Sequence, residues 1–153
     1  MESEQLQIFS ILISLVSIFI SFSLGQWSKT DSLKKHKQEE RYLSLYIPFF
    51  KKLMDYNYPK NSYYQIVILT EPRFVRDNIL VNVEYLDNVS VRLLKNLIEK
   101  DKYIYAFSQG NLELEPEVNE AEILFSQLVE SMKKESIEIA KKLKLEPVTK
   151  DLL

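Results

Sequence analysis

Residues 5–28 contain no charged side chain, and most of them are Leu, Ile, Val or Phe. A stretch of about 20 uncharged, mainly apolar residues has the length of a helix that crosses a bilayer. Because hydrocarbon offers the backbone no hydrogen-bond partner, a lone span of this kind has to be helical. From Leu6 to Leu24 such a helix would extend about 28 Å, close to the roughly 30 Å of a hydrocarbon core. The sequence therefore predicts a transmembrane helix within residues 1–28.

The charges that flank this segment differ between its two sides. Only Glu2 and Glu4 precede it, whereas all 20 Lys and Arg residues follow it. Basic residues next to a span stay on the cytoplasmic side of the membrane. We therefore expect a single-pass protein of the cell membrane, with its N-terminus outside and residues 29–153 in the cytoplasm. Trp27 at the end of the span, and Lys29, Lys34, Lys35 and Lys37 of the basic segment 29–41, are expected to anchor the protein at the surface of the lipid bilayer.

A cleaved signal peptide is the main alternative for the apolar segment. Ser23 and Gly25 are small residues two positions apart, as a cleavage site requires. A signal peptide, however, has a basic first region and an apolar core of about 7–15 residues. Here the first region is acidic and the apolar core is longer, so the retained span is favoured.

Small residues recur on one face of the predicted span. They are Ser10, Ser14, Ser17, Ser21 and Gly25, and Ser28 continues the series. At 100° per residue these positions fall within about 80° of one another. Small residues allow two membrane helices to approach closely, and hydroxyl groups can bond across the gap. We predict a helix–helix interface here, with a second copy or with another membrane protein; serines that bond back to their own helix are the alternative.

The rest of the chain is formally neutral. Of the 22 Asp and Glu residues two precede the span, which leaves 20 acidic residues against 20 Lys and Arg in residues 29–153. A dedicated nucleic-acid-binding domain normally carries a basic excess, so a nucleic-acid partner is not expected. There is no Cys, which excludes disulfides and thiolate metal sites. A length of about 125 residues fits one domain. The partner that we expect for this domain is an unidentified cytoplasmic protein.

Helical periodicity predicts an all-α domain over residues 42–146. An apolar face recurs at spacings of three and four residues in Leu43, Tyr46, Ile47, Phe50, Leu53 and Met54. Pro48 either kinks this helix or starts a new one at Ile47. Residues 63–70 fit a helix or a buried strand equally well. Residues 74–86 favour a helix, with a strand as the alternative, and residues 88–108 form a firmer helical pattern that ends at Gly110.

The last helix has the clearest boundaries after the span. Pro116 occupies a first-turn position, Glu117, Glu120 and Glu122 lie near the start, and several lysines lie near the end, as the helix dipole favours. Its apolar series is Val118, Ala121, Phe125, Leu128, Met132, Ile139 and Leu143, with Glu135 as an interruption. The helix is predicted either to join an antiparallel bundle or to form a coiled-coil arm for self-association. A tail over residues 147–153 is expected to fray.

No group of residues predicts an enzyme. His36 is the only histidine and lies in the basic segment, so a histidine-based triad or a multi-histidine metal site cannot form. Glycine-rich phosphate loops are missing from a sequence with two Gly. The glutamates at the start of the last helix are explained by its dipole. We therefore predict no catalytic residue, no metal site and no cofactor.

Three short motifs follow the predicted span. They are Arg41-Tyr42, Tyr46-Ile47-Pro48-Phe49-Phe50, and Asn82 together with Tyr85-Leu86-Asp87. With them the layout resembles a loose group of short single-pass membrane proteins from Gram-positive bacteria and their prophages. That group has no established activity, so the resemblance implies an accessory role in a bacterium or phage and assigns no site residue.

The functional hypothesis is a membrane-anchored, non-enzymatic interaction or regulatory protein with a cytoplasmic helical bundle. Phage exclusion and host modulation are examples of such a role. The alternative is a small membrane-active effector, holin-like or toxin-like, that assembles through the serine face of the span.

Overall fold

The computed structural model describes residues 31–70 and 73–149, together with Ser21. The chain divides into two compact units, residues 1–37 and residues 38–153. In the first unit, Ser21 and residues 31–37 are helical. Apart from Ser21, the predicted transmembrane segment lies outside the described residues. No helix of the described part has both the length and the apolar character needed to span a membrane.

The second unit is built from helices. Residues 38–41 are helical and lead into a π-helical turn, Tyr42–Tyr46. The α-helices are α1 (Ile47–Asp55), α2 (Tyr63–Thr70), α3 (Phe74–Asn78), α4 (Asn88–Ser108) and α5 (Glu115–Leu143), and two 3₁₀ segments cover Leu80–Tyr85 and Leu112–Leu114. The described residues contain no strand, which confirms the all-α prediction. Residues 63–70, for which a strand was the alternative, form helix α2. The single helix favoured for residues 74–86 is replaced by α3 and the 3₁₀ segment, with a turn at Ile79 between them.

Helix α5 is the element against which most of the unit packs. Its predicted apolar series is buried from Val118 to Ile139, and Leu143 is half-buried. Helix α4 runs antiparallel to it, because Ser90 near the start of α4 bonds Ser131 while Lys100 reaches back to Glu117. The turn Tyr42–Tyr46 and helix α2 also contact α5. Since the chain itself covers this face, α5 is a bundle member and not a free coiled-coil arm.

Aromatic rings fill the space where α1, α2 and α3 meet α5. Phe125 of α5 stacks on Tyr63, with ring centroids 4.2 Å apart, and meets Tyr58 edge-on at 5.5 Å. Phe74 lies 6.0 Å from Phe125 and 6.2 Å from Phe49. Aromatic pairs of this kind contribute about 0.5–1.5 kcal/mol each beyond the area they bury. The short helices are thus fixed to α5 by rings that converge on Phe125.

Pro48 shapes the start of the unit without breaking the helical path. Proline lacks an N–H, so the carbonyl of Ser44 loses its donor four residues later. The side-chain amide of Asn82 donates to that carbonyl at 3.2 Å instead. The neighbouring Tyr85 hydroxyl donates to Glu40 Oε1 at 2.9 Å. The 3₁₀ segment Leu80–Tyr85 is therefore held against residues 40–44 by two hydrogen bonds, one to the Ser44 carbonyl and one to the Glu40 carboxylate.

Specific residues set the ends of the two long helices. Asp87 caps α4 by accepting a hydrogen bond from the Ser90 N–H at 2.6 Å. Gly110, with φ of 99°, allows the turn after α4. Helix α5 ends at Lys144, whose φ of 58° is left-handed, and the N–H of Leu145 bonds the Ala140 carbonyl at 2.9 Å. Left-handed backbone is less stable for a residue with a Cβ than for glycine, so Lys144 is unfavourable at this position.

We predict that Lys144→Gly raises the free energy of unfolding by about 1 kcal/mol, because glycine adopts left-handed backbone without strain. The matched control is Lys142→Gly, inside the last turn of α5, which should lower it by about 1 kcal/mol. Urea unfolding of the full chain in micelles measures both. If both variants changed the free energy of unfolding in the same direction, the assignment of the helix end at Lys144 would be contradicted.

Candidate functional site

Most of the predicted site residues lie outside the described part of the chain. They are Ser10, Ser14, Ser17, Gly25, Trp27 and Lys29. Ser21 is helical and exposed, and Lys34, Lys35 and Lys37 are exposed on helical backbone. The serine interface and the membrane anchor therefore stay predictions.

The most tightly connected polar group of the second unit joins its first turn to α5. We call Arg41, Tyr46 and Glu135 the junction clasp. The Tyr46 hydroxyl donates to Glu135 Oε2 at 2.5 Å, and Arg41 Nη2 lies 2.6 Å from Glu135 Oε1. The guanidinium carbon of Arg41 also lies 5.6 Å from the centre of the Tyr46 ring. Each of the three side chains therefore contacts the other two.

The junction clasp is largely removed from water. The side chains of Arg41 and Glu135 are 22% and 19% exposed, and Tyr46 is fully buried. Burial raises the pKa of Tyr46, the hydrogen bond to Glu135 and its negative charge raise it further, and the charge of Arg41 opposes them. The Tyr46 hydroxyl therefore keeps its proton and stays a donor. Removing either charge would leave the other partly buried without its counterion, which is costly.

The lengths of the helices place Glu135 at this point. Helix α4 begins at Asn88, and Ser90 bonds Ser131, so α4 covers α5 only up to about Met132. The last turns of α5 extend beyond it. There the turn Tyr42–Tyr46 takes the place of α4 against α5. Glu135 therefore interrupts the apolar series of α5 at the point where α5 packs against Arg41 and Tyr46 instead of against α4.

A second polar contact ties the end of the unit to the same turn. The Tyr42 hydroxyl donates to the Glu146 carbonyl at 3.1 Å and accepts from the Val148 N–H at 2.9 Å. Thr149 is buried. Residues 147–149 are thus held more closely than the predicted fraying implies, because the Tyr42 hydroxyl accepts the Val148 N–H and Thr149 is buried.

The carboxylates that could suggest chemistry are occupied by structural contacts. Glu122 accepts the N–H groups of Tyr63 and Tyr64, at 2.8 and 2.6 Å, and so caps the start of α2. Glu117 and Glu120 both pair with Lys100. Within the described residues, no group of three or more acidic or histidine side chains is arranged to hold a metal ion.

Among the carboxyls of the described residues, Asp101 has the most strongly shifted pKa. It accepts a hydrogen bond from the Tyr63 hydroxyl at 2.6 Å. Burial raises the pKa of Asp101 to about 6, and the hydrogen bond from Tyr63 opposes that rise. Burial also raises the pKa of Tyr63, and the charge of Asp101 adds to this. The pair fixes α2 to α4 and gives the fold a titrating group near neutral pH.

Comparison of the chain with protein-family models, with curated proteins and with solved structures finds no match.

Sequence reasoning missed the junction clasp, although one signal for it was present. Glu135 breaks an otherwise apolar series, and a charged residue on a buried face requires a buried partner. The sequence does not show which of the 20 Lys and Arg residues that partner is. Arg41 was assigned only to the basic segment 29–41 that follows the predicted span.

We predict that Glu135→Ala lowers the free energy of unfolding by about 2–3 kcal/mol, because it leaves Arg41 partly buried and unpaired. The matched control is Glu138→Ala, one turn along on the exposed face, which should change it by no more than about 0.5 kcal/mol. Chemical denaturation of the full chain in micelles measures both. Equal effects would show that the junction clasp does not stabilise the fold.

We predict that Asp101→Asn flattens the pH dependence of stability between pH 4 and 7. The pKa of Asp101 is about 6 in the folded chain against 3.8 for an ordinary aspartate, so between these values the folded state binds more protons. Stability from this group therefore falls as pH rises through that window, by about 1–3 kcal/mol in all. Denaturation at half-unit pH steps measures the difference between the two proteins, and parallel profiles would contradict the assignment.

Proposed function

We propose that this chain is a membrane-anchored, non-enzymatic interaction protein whose helical domain recruits or blocks a partner protein at the cytoplasmic face of the cell membrane. The uncharged residues 5–28 would supply the anchor. The basic segment 29–41 would hold the cytoplasmic end of that anchor against anionic lipid headgroups.

The observation that carries this proposal is the junction clasp. Arg41 is the last basic residue of the segment that follows the predicted span, and Glu135 and Tyr46 hold it inside the folded unit. Tyr42, which follows it, and Leu45, three residues further on, are fully buried. A flexible linker between the span and the domain would leave these residues exposed to water. Because the folded domain begins directly at the basic segment, we expect the domain to lie close to the membrane surface.

The chemistry of the domain favours binding over catalysis. Several of its polar side chains hold the helices in place. Glu122 caps α2, Lys100 pairs with Glu117 of α5, and Asp101 accepts a hydrogen bond from Tyr63 of α2. Its long helices meanwhile expose apolar side chains, among them Ile98 and Tyr105 of α4 and Ile123 of α5. Since exposed apolar patches often mark protein-binding surfaces, we propose these positions as part of the partner-binding surface. The resemblance to proteins of Gram-positive bacteria and prophages adds an accessory role, such as phage exclusion or host modulation, to the proposal.

We predict that the full chain floats with lipid vesicles and resists alkaline extraction, whereas a chain that lacks residues 1–28 stays in the aqueous fraction, because the apolar segment is the anchor. The chain has no Cys, so single cysteines report topology without background. In intact bacterial cells, an impermeant maleimide should label Ser3→Cys and should label Leu112→Cys only after lysis.

Two results would contradict the proposal. One is an aqueous full-length chain, which would remove the membrane anchor. The other is labelling of Leu112→Cys in intact cells, which would place the helical domain outside. Loss of membrane potential when the chain is expressed would point instead to a membrane-active effector.

A further inference from the structure

The specific contacts of helix α2 with the two long helices concentrate at its first two residues. The N–H groups of Tyr63 and Tyr64 donate to the two carboxylate oxygens of Glu122 on α5. The Tyr63 ring stacks on Phe125 of α5, and the Tyr64 ring meets Phe107 of α4 edge-on, with centroids 5.7 Å apart. Whatever weakens the contacts of these two tyrosines therefore weakens the attachment of α2 to the domain.

The start of α2 also bonds a carboxylate that has no cationic partner. The Tyr63 hydroxyl donates to Asp101 Oδ1 of α4 at 2.6 Å, and Tyr63 is fully buried. The neighbouring cation on α4, Lys100, is bonded to Glu117 and Glu120 instead. Among the described residues, the Tyr63 hydroxyl is the group that opposes the cost of burying a charged Asp101.

The other titratable groups near Asp101 do not offset its charge. On α4 itself Lys102 is exposed, and its ammonium lies 4.8 Å from the centre of the Tyr103 ring. The elements packed against this part of α4 contribute groups that are all neutral or acidic: Tyr63 and Tyr64 of α2, Glu117, Glu120 and Glu122 of α5, and Glu113 of the segment Leu112–Leu114. An ionised Asp101 therefore lies partly buried without a counterion, which is unfavourable.

We propose that α2 is a pH-dependent lid on the aromatic core, which closes when Asp101 is protonated and opens from α4 and α5 when Asp101 ionises. Opening brings the Asp101 carboxylate into water. It also separates Tyr63 from Phe125 and Tyr64 from Phe107, and so uncovers an apolar aromatic surface. All of these residues lie in the second unit, so the inference does not depend on the membrane anchor.

The direction of the change follows from which form of the lid holds the proton more tightly. The pKa of Asp101 is about 6 with α2 closed, against 3.8 for an ordinary aspartate in water. The closed form therefore keeps a proton that the open form releases between these values, and rising pH favours opening. For one such group, the ratio of open to closed lid rises about thirtyfold from pH 4.5 to pH 7.5.

Hydrogen exchange of the full chain in lipid nanodiscs measures this opening. The amides of Ile66 and Val67 in α2 are compared with the amide of Leu128 in α5, after correction for the intrinsic effect of pH on exchange. At pH 7.5 we expect the α2 amides to exchange through a local opening that depends little on denaturant. At pH 4.5 that opening should be about thirtyfold rarer, and the α2 amides should approach the protection of Leu128.

Two variants separate the role of the Asp101 proton from a loss of packing. Asp101→Asn keeps an oxygen for the Tyr63 hydroxyl but cannot ionise, so the opening of α2 should no longer change with pH. Tyr63→Phe keeps the ring on Phe125 but removes the donor that favours ionised Asp101, so the rise in opening should extend to higher pH. A loss of packing alone would increase opening equally at every pH.

The matched control is Asp55→Asn, at an exposed aspartate that ends α1, which should leave the pH profile of α2 unchanged. Three results would overturn the inference. They are α2 amides that match Leu128 in opening free energy and denaturant dependence at pH 7.5, a pH dependence that persists in Asp101→Asn, and a Tyr63→Phe profile that keeps the shape of the unmodified chain. Each of them would make α2 a fixed part of the core.

Discussion

Helix α5 is longer than the partner that lies alongside it. It has 29 residues against 21 in α4, and α4 begins about level with Met132, so the last turns of α5 extend beyond it. The apolar face beyond Met132 still has to be covered, since Ile139 and Ala140 are buried there. The turn Tyr42–Tyr46 and the backbone that follows α5 supply that cover. The length mismatch therefore makes the first turn of the domain a part of its core.

Covering α5 in this way draws one charged side chain, Arg41, into a largely buried position, and the junction clasp supplies its counterion. Arg41 belongs to the basic run of residues 29–41, yet it contacts Tyr46 and Glu135 instead of water. Buried ion pairs add little to stability compared with apolar packing, but they penalise any arrangement that leaves one charge alone. The clasp thus fixes one register of the first turn on α5. In the proposed function, this register determines which surface of the domain faces a partner.

The parts of the fold that were predicted from sequence are those fixed by local signals. Pro116 and the acidic first turns mark the start of α5, and Gly110 marks the turn after α4. The short helix α2 could not be told from a strand, because its type is set by Phe125 and by the cap from Glu122, which are distant in sequence. The junction clasp joins residues 89 positions apart, so only packing reveals it. The serine face and the membrane anchor lie mainly outside the described residues and stay predictions.

If the first turn of the domain is part of the core held by α5, it should open only when the whole domain unfolds. Native-state hydrogen exchange of the full chain in lipid nanodiscs tests this most directly. We expect the amides of Tyr46 and Phe50 to exchange with the same opening free energy and denaturant dependence as those of Phe125 and Leu128. Fast exchange at Tyr46 by local opening, while Phe125 stays protected, would contradict it.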